Sequence, residues 1–297
     1  MLKWAAGGAF AVVASGAAGV ELVANDVVPG HQVLNELDGT CSVASPSLQF
    51  APLGPTTAGQ FFSNARRRVV GYEIAYPPGH RPGSELPLVV ALHAYGGDHT
   101  RALPGLTPAQ ALAGYPVHGQ PVPPVALVAA DGGGGYWHAH PGDDPMGMVV
   151  DELIPMCRGL GLGTVRVGAL VVSMGGYGAL LLAEKHPDLV DAVAAISPAV
   201  WTSYVQARAA NPGAFGSGRD FAANDVIAGA AALRAMPVRV VSGRSDPFHP
   251  GVSALAGHLT PGTVEVSKGC HTGPFFAAQL PPSLDFLAAH LQARAAT

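Results

Sequence analysis

Gly168-Ala-Leu-Val-Val-Ser173-Met-Gly-Gly-Tyr-Gly178 is the stretch whose reading decides the fold. Its first half is an unbroken apolar run, which suits a strand buried on both faces of a parallel sheet. Its second half opens on Gly175 and Gly176 and continues into Ala179-Leu-Leu-Leu182, a helical pattern. A strand that turns into a helix through a serine is the context of a nucleophile elbow. Such a turn is tight and needs small residues two positions to either side of the serine. Gly175 meets that need, but Val171 stands where the pattern has glycine. The crowding there requires a small neighbour or a slight shift of the strand. The helix N-terminus facing the hydroxyl would favour developing negative charge. A plain helix-capping serine fits the same local pattern, so the rest of the chain must decide.

Outward from this stretch, short β-branched runs alternate with helical patterns. The runs predict strands over Val69–Ala75, Pro87–His93, Val125–Ala130, Val165–Val172, Val193–Ile196, Pro237–Ser242 and Val264–Val266. Helices are expected over Met146–Cys157, Gly175–Lys185, Val252–His258 and Ser283–Arg294. Alternation of this kind predicts an α/β fold, a mostly parallel sheet with helices on both faces. The segment from Ala199 to Ala235 lacks strong periodicity and is expected as a short insertion over the strand ends.

A serine hydroxyl is a weak nucleophile until an imidazole accepts its proton, and that imidazole needs an anion on its far side. In α/β-hydrolases these follow the serine in the order acid, then histidine. Asp246 lies just past the strand ending at Ser242, and His271 just past the strand ending near Ser267. Both therefore sit at carboxyl ends of parallel strands, where active sites of such sheets assemble. Ser173, Asp246 and His271 are the expected catalytic set. His249, close to Asp246, is a rival base that is better placed as a pocket residue, and Asp285 is a fallback acid. The loop Leu92-His-Ala-Tyr-Gly-Gly97 follows a strand where an oxyanion loop belongs, so backbone donors are assigned to Tyr95 and Met174. His93, Trp137, Trp201 and His249 are expected to face substrate, with Tyr204 a further pocket aromatic.

Residues Gly132–Gly135 and Tyr136-Trp-His-Ala-His140-Pro-Gly-Asp-Asp144 hold two histidines and two aspartates. Their spacing matches no metal motif, and a glycine-rich tip with aromatics suits a pocket wall. No phosphate-loop or dinucleotide spacing is present either. Neither a metal nor a cofactor is expected.

Leu92–Gly97, Ser173-Met-Gly-Gly-Tyr-Gly178, Ile196-Ser-Pro-Ala199 and Gly269-Cys-His271 together resemble the esterase branch of the α/β-hydrolases. That branch holds esterase D (S-formylglutathione hydrolase) and the mycolyltransferases. The resemblance covers about residues 65 to 295 and departs from the pattern at Val171 and at Ala94, where glycine is usual. It implies the α/β-hydrolase fold and ester, thioester or acyl-transfer chemistry through an acyl-enzyme, without metal or cofactor. Three readings follow. The first is a carboxylesterase with a small-molecule or lipid acyl ester as substrate. The second is an envelope acyltransferase that passes the acyl chain to a sugar or lipid hydroxyl. The third is an inactive fold member that binds rather than catalyses.

Composition narrows the partners. The chain has 297 residues, 16 Lys+Arg against 20 Asp+Glu and a net charge of -4, so it lacks the basic surface that nucleic acid requires. Arg66-Arg-Arg68 is the lone basic run and is expected as a solvated strand entry. Lys3 followed by an uncharged apolar stretch from Trp4 to Val20 reads as a signal sequence or anchor. The expected organisation is therefore a signal or anchor over 1–24, an extended linker over 25–64 and one catalytic domain over 65–297. Export is expected, with possible membrane association through residues 4–20. Cys41, Cys157 and Cys270 suit either one disulfide and one free thiol in an exported chain or three reduced thiols, and spacing leaves the pairing open.

Overall fold

In the computed structural model the residues described are 40–43, 52–103, 106–113, 123–163 and 166–295. The expected signal or anchor lies outside them, as does most of the expected linker before residue 52. Among the described residues, no helix is long and apolar enough to cross a membrane.

Among the described residues, eight strands form one sheet: β1 Thr56–Ser63, β2 Arg68–Ala75, β3 Leu88–Leu92, β4 Ala126–Ala130, β5 Val167–Val172, β6 Val190–Ile196, β7 Val238–Gly243 and β8 Val264–Ser267. Their spatial order is β1-β2-β4-β3-β5-β6-β7-β8. The β1–β2 and β2–β4 pairs are antiparallel, and every pair from β4 to β8 is parallel. The helices are α1 Pro108–Ala113, a continuous segment α2 from Pro145 to Gly159 with a π-helical turn over Met148–Leu153, α3 Met174–Lys185, α4 Tyr204–Ala210, α5 Gly218–Ala223, α6 His249–Ala256 and α7 Gly273–Ala295.

The apolar runs are strands because both faces of the sheet are covered. Along β5, Ala169 and Val171 join one cluster with Leu153, Tyr177 and Leu181, whereas Leu170 and Val172 join the other with Leu284, Leu287 and Leu291. A side chain that alternates faces meets helix either way, so no position needs to be polar. Fully burying each valine or leucine among them contributes about 1.5–3 kcal/mol.

Two expectations are corrected. The supposed linker contains β1, which pairs with β2 along its whole length. Its sequence, Thr56-Thr-Ala-Gly-Gln-Phe-Phe-Ser63, is weakly apolar because an edge strand is only half covered, with Phe61 packed on the core and Phe62 exposed. The last helix starts at Gly273 rather than Ser283 and holds Pro281 and Pro282 inside it. A proline pair reads as a helix breaker, yet Phe275, Leu280, Leu284 and Leu287 are all buried in one cluster spanning the pair. Packing on the sheet outweighs the local penalty.

Candidate active site

The side chains of Ser173, His271 and Asp246 converge at the carboxyl ends of β5, β8 and β7. His271 Nε2 lies 2.8 Å from Ser173 Oγ, and His271 Nδ1 lies 2.9 Å from Asp246 Oδ2. The Asp246 side chain is fully buried and that of His271 is 19% exposed. Asp246 Oδ1 accepts the Phe248 N–H at 2.8 Å, so both carboxylate oxygens are engaged. An acceptor at Nδ1 places the imidazole proton there and leaves Nε2 free to accept from the serine hydroxyl.

Ser173 has φ 56° and ψ -119°, a positive-φ conformation that residues other than glycine rarely adopt. The strain is held by its surroundings. The Ser173 N–H donates to Ile196 O at 3.0 Å, and its carbonyl accepts from Ala199 and Tyr177 N–H at 2.9 and 3.1 Å. Gly175 is obligatory, since a Cβ there would stand 1.9 Å from Leu92 O, and a Cβ on Gly176 would meet Pro198 at 2.8 Å. Val171 has the small neighbour it requires: it is fully buried and paired with Ala195 of β6, a small residue in the same cluster.

Leu92 O and His93 O press against Gly175, which brings the loop after β3 alongside the start of α3. Among the described residues, neither Tyr95 N–H nor Met174 N–H donates a hydrogen bond, and the Tyr95 ring is 64% exposed. Both backbone donors are therefore unspent.

The expected pocket residues need correction. His93 is buried, its Nδ1–H donating to Ala94 O at 2.8 Å while its Nε2 accepts from Gly132 N–H at 2.9 Å. Both nitrogens are spent on backbone, and burial pushes its pKa down, so His93 is a neutral strut between two loops. Trp137 is 1% exposed, and its Nε1–H donates to His93 O at 3.2 Å. It fills the space left open by Gly132 and Gly178 and faces the core instead of substrate. Trp201 is buried against Tyr136 and Phe248, at ring-centre separations of 4.8 and 5.5 Å, so it backs the site at one remove. His249 opens α6 with its Nε2 3.4 Å from Ser253 Oγ and makes no bond to Asp246 through its ring. Asp285 lies within α7.

Sequence reading missed the two rings that hold the histidine. Phe248 and Phe276 meet the His271 imidazole edge-on at 5.1 and 4.9 Å. Phe276 stands five residues after His271, a proximity the sequence offered without a reason to use it. Arg66 is also corrected: it is 3% exposed and grips Asp143 with Nε and one terminal nitrogen, at 2.7 and 2.9 Å, while a second binds Asp131 O. Asp143 and Asp144 are thus occupied, the latter capping Gly147 N–H at 2.8 Å. Among the described residues, no three His, Cys, Asp or Glu side chains are grouped to hold a metal.

The insertion carrying Trp201 docks on α3 through polar groups. Tyr177 Oη donates to Asn224 O, Lys185 Nζ to Asn224 Oδ1, and Glu184 faces Gly229. Glu184 Oε1 is buried without a hydrogen-bond partner. Burial, reinforced by Asp225 and opposed by Lys185, pushes the Glu184 carboxyl up to about 8 from its ordinary 4.5. The folded chain holds this proton over a window in which the unfolded chain has released it, so stability falls as pH rises through that window. Replacement by Gln keeps the shape and removes the titration. Thermal midpoints of Glu184→Gln and wild type should diverge in favour of the variant from about pH 5 to about pH 8 and run parallel above it. Curves that stay parallel throughout would show that Glu184 titrates normally.

Residues 158–282 match the family described as "Putative esterase". No curated protein matches the chain in sequence. Among solved structures, a ferulic acid esterase superposes with a TM-score of 0.65 at 16% identity, covering 82% of this chain and 100% of its own. The S-formylglutathione hydrolase from Agrobacterium tumefaciens gives 0.61 at 16%, over 82% of this chain and 98% of its own. Mycobacterium tuberculosis MPT51 gives 0.56 at 16%, over 84% and 100%. At such identity the superpositions speak for the α/β-hydrolase fold, which the sheet order shares. The family match runs from the end of α2 through all three converging side chains, and it supports an enzyme of the esterase type.

Proposed function

We propose that the chain is a serine carboxylesterase in which Ser173 is the nucleophile, His271 the general base and acid, and Asp246 the group that holds the imidazole. The observation that carries this reading is the relay Asp246–His271–Ser173, with links of 2.9 and 2.8 Å, on a serine held at φ 56°.

In the first half-reaction Ser173 Oγ attacks the ester carbonyl carbon while His271 Nε2 takes the hydroxyl proton. The carbonyl oxygen becomes an oxyanion, and the N–H groups of Tyr95 and Met174 are the donors that would receive it. Collapse expels the alcohol, which leaves with the proton from Nε2, and the acyl group stays on Ser173. Water, deprotonated by His271, then releases the acid and regenerates the serine. Asp246 keeps the Nδ1 proton throughout and steadies the imidazolium when it forms.

Acyl transfer to an alcohol is the second reading. The leaving or entering group passes over His271, whose ring is bordered by Phe248 and Phe276, and apolar edges favour an organic acceptor over water. A fluorophosphonate probe followed by peptide mapping tests the shared step, with labelling expected at Ser173. A folded chain that remains unlabelled there leaves only a binding role. Turnover of an ester with an alcohol present then separates the two enzymes, since transfer requires new ester to exceed free acid.

We place the protein outside the cytoplasm. Support comes from the Cys41–Cys270 disulfide, because such bonds persist in oxidising compartments.

A further inference from the structure

The histidine stands on weak ground. Its strand, β8, has four residues, three of them exposed, and among the described residues it is paired on one side only, to β7. A loop leaving an edge strand of that length has little to fix it. Backbone contacts hold its first part: Ser245 N–H donates to Gly269 O at 3.0 Å, and Gly243 leaves the room that Gly269 fills. Cys270 comes next, immediately before His271, and it is fully buried. Its sulfur is bonded to Cys41, 229 residues earlier, with the two Cα atoms 5.0 Å apart. The other end of the bond is also seated, since Val43 packs against the cluster that contains Phe275 and Phe276.

We infer that the Cys41–Cys270 disulfide is a positioning device for His271, so that the esterase reaction depends on oxidation of the chain. This inference rests on the triad reading above. The bond supplies from the N-terminal segment the lateral support that an edge strand lacks. Without it, residue 270 can shift, and a displacement of about 1 Å at the base would break the 2.8 Å link to Ser173. Closing the device oxidises two thiols: their two protons and two electrons go to a small-molecule disulfide, which leaves as two thiols. A dithiol reverses the step. Cys157 stands apart, buried and with its thiol pushed up to about 12 by burial, so thiolate for exchange scarcely forms there.

The test uses the whole chain, reduced with dithiothreitol at a temperature where circular dichroism stays native, and titrated to confirm a change from one free thiol to three. We expect kcat on a p-nitrophenyl ester to fall about 10- to 100-fold, KM to move less than about twofold, and the acid limb of the kcat–pH profile to shift. Reoxidation with glutathione disulfide should restore all three. Cys41→Ser, which leaves Cys270 in place, should behave as the reduced chain and resist rescue. A reduced, folded chain with unchanged kcat and pH limb overturns the inference. So does loss of native dichroism at every temperature on reduction, since the bond would then staple the whole fold. Failure of the triad reading looks different: Ser173→Ala would retain turnover in the oxidised chain.

Discussion

Ser173→Ala should lose turnover by about 10^4- to 10^6-fold while its thermal midpoint stays close to that of wild type. The two halves of this expectation have separate causes. Turnover goes because, among the described residues, no other hydroxyl is bonded to His271 Nε2, so the acyl-enzyme has nothing to form on. The midpoint stays because the strained backbone is fixed by Ser173 N–H and O, bonded to Ile196, Ala199 and Tyr177, none of which involve the side chain. Ser173→Gly extends the argument. Glycine takes φ 56° without strain, so this variant should be as inactive and more stable by about 1 kcal/mol. The site would then be trading stability for a nucleophile presented on a sharp turn. His271→Gln should fall by several orders of magnitude alone, and adding it to Ser173→Ala should cost nothing further, because the two act as one unit. Additive losses in the double variant, or a single variant that keeps native rates, would remove the relay from the mechanism.

What could be read from the sequence divides along a physical line. The parallel strands and the serine turn were legible because burial on both faces writes itself as an unbroken apolar run, and because Gly175 has no substitute beside Leu92 O. The positions of Asp246 and His271 followed from strand ends, which topology fixes without side-chain detail. What escaped depended on partners distant in sequence. Arg66 reads as a surface charge until Asp143 and Asp131 are seen beside it. His93 and Trp137 read as pocket residues because they are polar or aromatic in a glycine-rich setting. Gly132 and Gly178 instead make room for the Trp137 ring in the interior, and the Gly132 N–H holds His93 there. β1 reads as a linker because an edge strand carries only half of the apolar signal. The cysteine pairing could not be read at all, because a bond across 229 residues leaves no trace in spacing.

Asp246→Asn should lower kcat by about 10^4-fold with the fold retained, and the reason lies in how the carboxylate is shared. Its side chain is fully buried, and each oxygen accepts one proton, Oδ1 from Phe248 N–H and Oδ2 from His271 Nδ1–H. An amide offers one acceptor oxygen and one donor nitrogen to these two donors. If the oxygen stays with Phe248, the amide NH2 faces Nδ1, and the imidazole must move its proton to Nε2. That tautomer has nothing with which to accept from Ser173, so the base is lost although its ring has not moved. If the amide flips, Phe248 N–H is left buried against a donor, at a cost of about 1–3 kcal/mol, and the start of α6 loosens. The first arrangement leaves the backbone untouched and is the one expected. Fluorophosphonate labelling should slow in step with kcat, because both need Ser173 Oγ deprotonated, while binding of an uncharged substrate analogue should be unaltered. A variant that keeps more than about a tenth of the wild-type kcat would mean that Asp246 only packs against the imidazole and does not set its tautomer.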